Sequence, residues 1–423
     1  MVLGTSVGQT IAQKVLARAA GHDAVEPGEI VSARVDMAMS PENARLVMEA
    51  FARIGVPRVW DSARVVVLFD HRVPAPNIRT AAAHREVRAF AHEQGLRHFL
   101  DAREGVCHQV MVEHGFARPG ELVVGTDSHT TTYGAVGALS TGIGATEMAG
   151  VWATGELWMR VPATHMVRVD GEMPDRVGAK DLVLRYIGDV GPDGADYACV
   201  EFAGGAVSGM GVPGRMTLCN MAAEAGAKAG LVAPDRRTLA YLRGRARPPL
   251  APVRPDADAT YASRRAYDAA DLEPLVAAPH AVGNVHPVSR YAGLEVHQAV
   301  LGSCTNGRFE DMRAAAEVMG DRPVAPGVRM LVVPASRREL LRAIRAGLVG
   351  RFVRAGAMVL NPGCGPCLGA HEGVLAAGER AISSTNRNFR GRMGDPDSEV
   401  FLASPETVAA SAVAGVIADP REA

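Results

Sequence analysis

The stretch Asn361-Pro362-Gly363-Cys364-Gly365-Pro366-Cys367-Leu368-Gly369 sets two thiols three residues apart in a turn of glycine and proline. A third cysteine, in Gly302-Ser303-Cys304-Thr305-Asn306-Gly307, stands sixty positions before Cys364. A C-x-x-C pair serves as a redox dithiol, as half of a zinc site, or as part of an iron–sulfur cluster. The flanks weigh between these. A redox dithiol sits between a strand and the helix it opens, inside a small βαβ unit. Here a short expected strand at 357–360 runs into an open Asn-Pro-Gly turn, and glycines continue at Gly365, Gly369 and Gly373. Small residues let backbone N–H groups approach sulfur. A structural zinc wants a fourth thiol or imidazole at ligand spacing, and the chain has no second C-x-x-C. The favoured reading is one cluster on Cys304, Cys364 and Cys367. Three thiolates on a four-iron cluster leave one iron without a protein ligand, and such an iron acts as a Lewis acid rather than an electron carrier.

Outward from these cysteines, apolar runs alternate with amphipathic stretches. Residues 296–301 read as a strand running into Cys304, and 329–333 as the next, followed by a helix over 337–346. Val65-Val66-Val67-Leu68-Phe69 and Leu122-Val123-Val124 are continuous apolar runs, the mark of buried parallel strands. Further strands are expected at 30–39, 98–100, 165–171 and 199–202. Helices are expected at 10–20, 42–54, 78–95, 181–187 and 216–230, and a glycine-rich turn with a closely packed helix over 134–158. Strands alternating with helices imply an α/β architecture. The breaks suggest three units, 1–160, 161–282 and 283–423, with the Arg-, Pro- and Asp-rich 234–279 as a surface connector. A length of 423 residues suits two or three domains.

Composition excludes several classes. The net charge of −1 at 22% charged residues offers no basic stripe for nucleic acid. No run of about eighteen apolar residues is present, so no membrane span is expected. Residues 1–9 lack the basic and apolar regions of a secretory signal. Six cysteines in so long a chain do not make a disulfide framework and fit a reducing cytoplasm.

Active-site residues in open α/β sheets sit just past strand ends. Histidines follow such ends at His71, His108 and His129, and Asp70 and Asp127 stand within two positions of two of them. A histidine beside a carboxylate is a general acid or base with a raised pKa. Any one such pair is more often structural, but three in a chain with a candidate open-iron cluster point to chemistry. Glu201, near the end of an expected strand, is a weaker candidate. Asn386-Arg387-Asn388-Phe389-Arg390-Gly391-Arg392 offers three guanidinium groups, whose forks match a di- or tricarboxylate. Cys107, Cys199 and Cys219 read as core thiols, with Cys107 beside His108 a lesser candidate for an auxiliary ligand.

Together these motifs resemble the aconitase superfamily, and within it the large subunits of two-chain isopropylmalate isomerases and homoaconitases. Five pieces carry the resemblance: Asp70-His71, residues 105–109, residues 126–130, the two cysteine turns, and residues 386–392. It implies three α/β/α domains around one 4Fe–4S cluster per chain on Cys304, Cys364 and Cys367. The swivelling fourth domain of single-chain aconitases is lacking, and a small subunit would supply it with the serine base and further arginines. The resemblance also implies roles. Asp70-His71 would help the hydroxyl leave, His108 would act with Glu201 as support, and Asp127 and His129 would bind the leaving hydroxyl or water. Ser128, Asn386, Arg387 and Arg392 would bind the substrate and its carboxylates. The implied reaction is dehydration and rehydration of a substituted malate, isopropylmalate first, then homoaconitase substrates or a 2,3-dimethylmalate or citramalate type. One departure stands out: Met37-Ala38-Met39-Ser40-Pro41-Glu42-Asn43-Ala44 replaces the relatives' usual carboxylate-binding loop, and Ser40 or Asn43 would have to substitute.

Overall fold

The computed structural model describes residues 8–423. Most of the segment examined for a secretory signal therefore lies outside the described residues. Among those described, no helix is long and apolar enough to cross a membrane.

Three sheets built from parallel strands organise the chain. The first has the order His98–Leu100, Val65–Leu68, Met37–Ser40, Leu122–Gly125, Leu139–Gly142, all parallel. Its chain enters at the centre and winds to both sides, so the strand ends at Met37–Ser40 and its two neighbours flank a switch point, where open sheets gather ligands. Val65 to Leu68 and Leu122 to Val124 are buried throughout, as their unbroken apolar runs require. The second sheet runs Ala229–Val232, Cys199–Ala203, Thr164–Asp170, Ser263–Asp268. The third has seven strands: Val285–Pro287, Leu275–Ala277, Glu399–Ala403, Arg380–Ser383, Gln298–Gly302, Arg329–Val333 and Met358–Val359. Its last five are mutually parallel, while Leu275–Ala277 pairs antiparallel on both sides.

The structure differs from the sequence reading in several places. The helix expected at 216–230 is instead the end of the helix Val212–Met221, a 3-10 turn (Ala222–Ala225) and the strand Ala229–Val232 of the second sheet. Residues 30–39 are two strands, not one. Ile30–Arg34 makes an antiparallel ribbon with Glu156–Arg160, and Met37–Ser40 enters the first sheet. Asp36 makes the corner: its N–H donates to Leu122 O, and its carboxylate accepts from Leu122 N at 2.8 Å. Residues 134–158 hold the end of a 3-10 turn (Ser128–Val136), a strand (Leu139–Gly142), the helix Ala145–Thr154 and the ribbon strand. The piece around His108 is a helix, Cys107–Glu113, rather than extended. The connector contributes the helix Arg236–Leu242 and two strands, of which Leu275–Ala277 belongs to the third sheet.

Candidate active site

Two turns deliver the cysteines. Gln298–Gly302 ends on Gly302, at φ 140°, where a Cβ would fall 2.1 Å from Val333 O. Ser303 follows at φ 64°, a strained value for a residue with a side chain, and begins the one-turn helix Ser303–Asn306 that carries Cys304. The Cys364–Cys367 turn packs on the same Val333, whose side chain lies 2.9 Å from where a Cβ on Gly365 would sit. All three thiols are buried and free of disulfides.

Polar groups converge on these sulfurs. Asn220 Nδ2 and Asn386 Nδ2 each lie 3.3 Å from Cys304 Sγ. Asn386 Oδ1 is 3.5 Å from Cys367 Sγ, and Arg392 Nη2 is 3.6 Å from it. Ser303 Oγ is 3.8 Å from Cys364 Sγ. The Cys364 hydrogen bond and the Arg392 guanidinium hold Cys367 well below the usual thiol range despite its burial. Donors aimed at buried sulfur suit thiolates bound to metal. Among the described residues no three-ligand group within 4.8 Å includes a cysteine, whereas one tetrahedral ion draws its thiolates to within about 4 Å of each other. The three residues therefore fit a cluster better than a single zinc.

Facing them are the strand-end residues of the first sheet. His71 is clamped between Asp70, with Nδ1 to Oδ1 at 2.6 Å, and Asp127, with Nε2 to Oδ2 at 3.4 Å. Burial pulls this imidazole down, but the two carboxylates outweigh it and hold the pKa well above 6.5. Asp127 also meets His108 Nε2 at 2.9 Å and accepts from His129 N at 2.8 Å. The charge of His108 and the hydrogen bonds from all three histidines overcome burial and keep Asp127 ionised, well below 3.8. Tyr133 OH lies 3.4 Å from His108 Nδ1. The cysteine-bearing and histidine-bearing parts touch directly, since Cys364 N donates to Asp70 O and His371 Nε2 lies 2.9 Å from His71 O.

The structure brings most of the sequence-predicted residues to this place. Asp70, His71, His108, Asp127 and His129 form one network, and Asn386 and Arg392 reach the cysteines. Arg387 pairs with Glu224 at 2.9 Å, and Ser128 is exposed next to Asp127. Glu201 stands apart. It is buried in the second sheet, accepting from Tyr261 OH at 2.9 Å. The carboxylate that supports a site histidine is instead Glu224, whose Oε1 lies 2.7 Å from His129 Nε2. Burial would raise Glu224, but the His129 hydrogen bond and charge and the Arg387 charge bring it below 4.5.

Four residues of this network were not among the candidates that the sequence offered. Asn220 and Glu224 are polar positions four apart in an otherwise small and apolar stretch, the one signal that marked them. Buried Lys180 donates to Ser384 O and Thr385 O at 3.0 and 2.5 Å, which fixes the loop carrying Asn386 and Arg387, and burial brings it down to about 7. Glu42 accepts the backbone N–H groups of Asp70, His71 and Arg72, each at 2.9 Å. Burial and the nearby Asp70 raise Glu42 to about 7. In the same loop Asn43 is spent on Thr126, donating to its carbonyl at 2.7 Å and accepting its hydroxyl at 2.6 Å. Ser40 is fully buried. Ser40 Oγ has no hydrogen-bond partner among the described residues and is closed off from solvent. Cys107, Cys199 and Cys219 lie in the apolar core.

Comparison with known proteins places this geometry. The sequence matches the aconitase family (aconitate hydratase) over residues 12–293 and 289–415. It is 51% identical to 3-isopropylmalate dehydratase large subunit 1 of Methanopyrus kandleri, over 98% of this chain and 99% of that one. It is 52% identical to the probable methanogen homoaconitase large subunit of Methanothermobacter thermautotrophicus, over 98% of each. In fold it is similar to the crystal structure of Thermococcus kodakaraensis aconitase X, with a TM-score of 0.54, 12% identity and 95% of both chains covered.

Proposed function

This chain belongs to the aconitase family, and from that premise we propose that it is the cluster-bearing large subunit of a two-chain hydro-lyase that interconverts 2- and 3-isopropylmalate. The observation that carries the proposal is the meeting of three buried thiols, a three-histidine network on Asp127, and Arg387 and Arg392 in one site. Whole-length identity to large subunits supports a small-subunit partner. That partner would bring the swivel domain and the base.

Membership in the family implies an iron–sulfur cluster, and Cys304, Cys364 and Cys367 would hold it as a 4Fe–4S group. When bound, it supplies a Lewis-acidic iron without a protein ligand. The remaining chemistry belongs to side chains. Arg387 and Arg392 would grip substrate carboxylates, Arg387 kept in orientation by Glu224. A base on the partner chain would take the proton from one carbon as the C–O bond on its neighbour breaks. His71, protonated between Asp70 and Asp127, would give its proton to the departing hydroxyl, which leaves as water. The product is an alkene dicarboxylate. Readdition of water with H and OH exchanged between the two carbons completes the isomerisation, and His71 recovers its proton from the incoming water. The negative charge that builds on the carboxylates in the transition state is what fixed guanidinium groups stabilise.

The homoaconitase reading stands second, favoured by the 52% identical methanogen relative. The test is co-expression with a small subunit under anaerobic conditions, then assay of 3-isopropylmalate, homocitrate and homoisocitrate by absorbance of the alkene. Turnover of isopropylmalate by the complex, and none by the single chain, is expected. Turnover of homocitrate alone would select the second reading, and turnover of none would refute both.

A further inference from the structure

Away from the candidate active site, a cavity of about 610 Å³ opens where the three sheet-bearing segments meet. Gln109 comes from the His108 helix, Tyr241 and Arg245 from the end of Arg236–Leu242, and the rest from the helix Arg337–Arg345 and its surroundings. Its volume falls in the range of small-molecule sites.

The lining is unusual in charge. Six arginines face three glutamates. Arg342 is spent on Glu310 and Glu339, each at 2.8 Å. Arg337 is 3.8 Å from Glu104. Among the described residues Arg338 has only Glu113 at 3.7 Å, a carboxyl that burial raises to about 7. Arg345 has no carboxylate within 4.0 Å among the described residues. Two buried donors on the wall lack any acceptor: Gln109 Nε2 and Arg245 Nε. Gln109 is 1% exposed, and its orientation is fixed because Oε1 accepts from Arg308 Nε at 3.1 Å. The unpaired acceptor Glu113 Oε1 already faces Arg338 at 3.7 Å; a buried donor left unpaired is costly, so Gln109 Nε2 and Arg245 Nε point to a further acceptor from outside the chain.

We propose that this cavity binds a small phosphate-bearing molecule. Guanidinium forks and an amide N–H offer only donors, which selects an anion. The free donors come from three parts of the fold, Gln109 on Cys107–Glu113, Arg245 after Arg236–Leu242, and Arg338 with Arg345 on one helix, which suits tetrahedral phosphate oxygens better than a planar carboxylate. Arg308, another lining residue, also donates to Cys304 O at 2.7 Å, and Gln109 adjoins His108. The occupant would therefore sit one side chain from both parts of the active site. This inference does not rest on the proposed reaction.

The experiment is isothermal titration calorimetry of the full chain with pyrophosphate and, separately, tricarballylate at fixed ionic strength. Wild type is compared with Arg338→Ser/Arg345→Ser and with Arg313→Ser, which removes a charge on another, exposed helix face. Saturable 1:1 pyrophosphate binding, weakened at least about tenfold in the double variant and unchanged in Arg313→Ser, is expected. Circular dichroism of the ligand-free double variant should match wild type. Equal weakening in Arg313→Ser would mean diffuse charge attraction. Binding that survives the double variant would place the anion elsewhere. Binding of tricarballylate alone would exclude the phosphate class. Any of these three, or no saturable binding, overturns the proposal.

Discussion

Glu224→Gln is the most informative single change. The Glu224 carboxylate bridges His129 at 2.7 Å and Arg387 at 2.9 Å, with side chains 9%, 5% and 26% exposed, so solvent screens little. Each charge-assisted hydrogen bond of this kind contributes roughly 1.5–3 kcal/mol. The glutamine keeps one acceptor oxygen and turns an N–H₂ toward a partner that can only donate. We therefore expect a loss near the lower end for a broken buried pair, about 3 kcal/mol. Expressed in kcat/KM this is a fall of about a hundredfold. The assay is alkene absorbance with the reconstituted two-chain enzyme, for Glu224→Gln, Arg387→Ala and the double variant. Because Glu224 acts through Arg387 and His129, the double variant should fall no more than about 1 kcal/mol below Arg387→Ala alone. Losses that add within about 0.5 kcal/mol would show that Glu224 does not orient Arg387 and would refute the reasoning.

Four further outcomes follow from the same geometry. In Asp70→Asn the largest influence raising His71 is gone, so the acid form is lost at lower pH and the falling limb of the kcat profile moves down in pH; an unmoved limb would take the acid role from His71. Asn220→Ala removes a donor 3.3 Å from Cys304 Sγ, and iron retention against a chelator should weaken about 10–100-fold, read by visible absorbance. Glu201→Gln should change kcat/KM by no more than about threefold, since its partner is Tyr261 and not a site histidine. Glu406, partly exposed beside Asp181, is raised by burial to about 8. The folded chain thus holds this proton more tightly than the unfolded one, and that contribution, complete below about pH 4.5, is lost as pH rises through 8. Urea unfolding should find Glu406→Gln more stable than wild type by about 2 kcal/mol at pH 8.5, with no difference near pH 4.5.

Buried parallel strands announce themselves as unbroken apolar runs, which is why Val65–Leu68 and Leu122–Gly125, and hence His71 and Asp127 at their ends, were readable. The cysteine turns were readable because glycine and proline mark them. The division of residues 30–39 was not, because an alternating pattern is the same whether the strand pairs with Glu156–Arg160 or with Leu122–Gly125. Glu224 escaped for a related reason. The strand-end rule favoured Glu201, but Glu201 sits in the middle of Cys199–Ala203 with Tyr261 as its partner, and it is the stretch after the helix Val212–Met221 that reaches His129, 95 residues away in sequence. Glu42 was visible only as a departure in a loop. Its use of three consecutive backbone N–H groups depends on the neighbouring strand, which no local pattern reports.

The central claim is that Cys304, Cys364 and Cys367 hold one cluster together. It is tested by anaerobic reconstitution with iron and sulfide of the wild-type chain and of Cys304→Ser, measuring iron, sulfide and visible absorbance. Wild type should be brown with about four irons per chain, and Cys304→Ser colourless. A colourless wild type, or thiol–disulfide exchange by Cys364 and Cys367 that does not need Cys304, would contradict it.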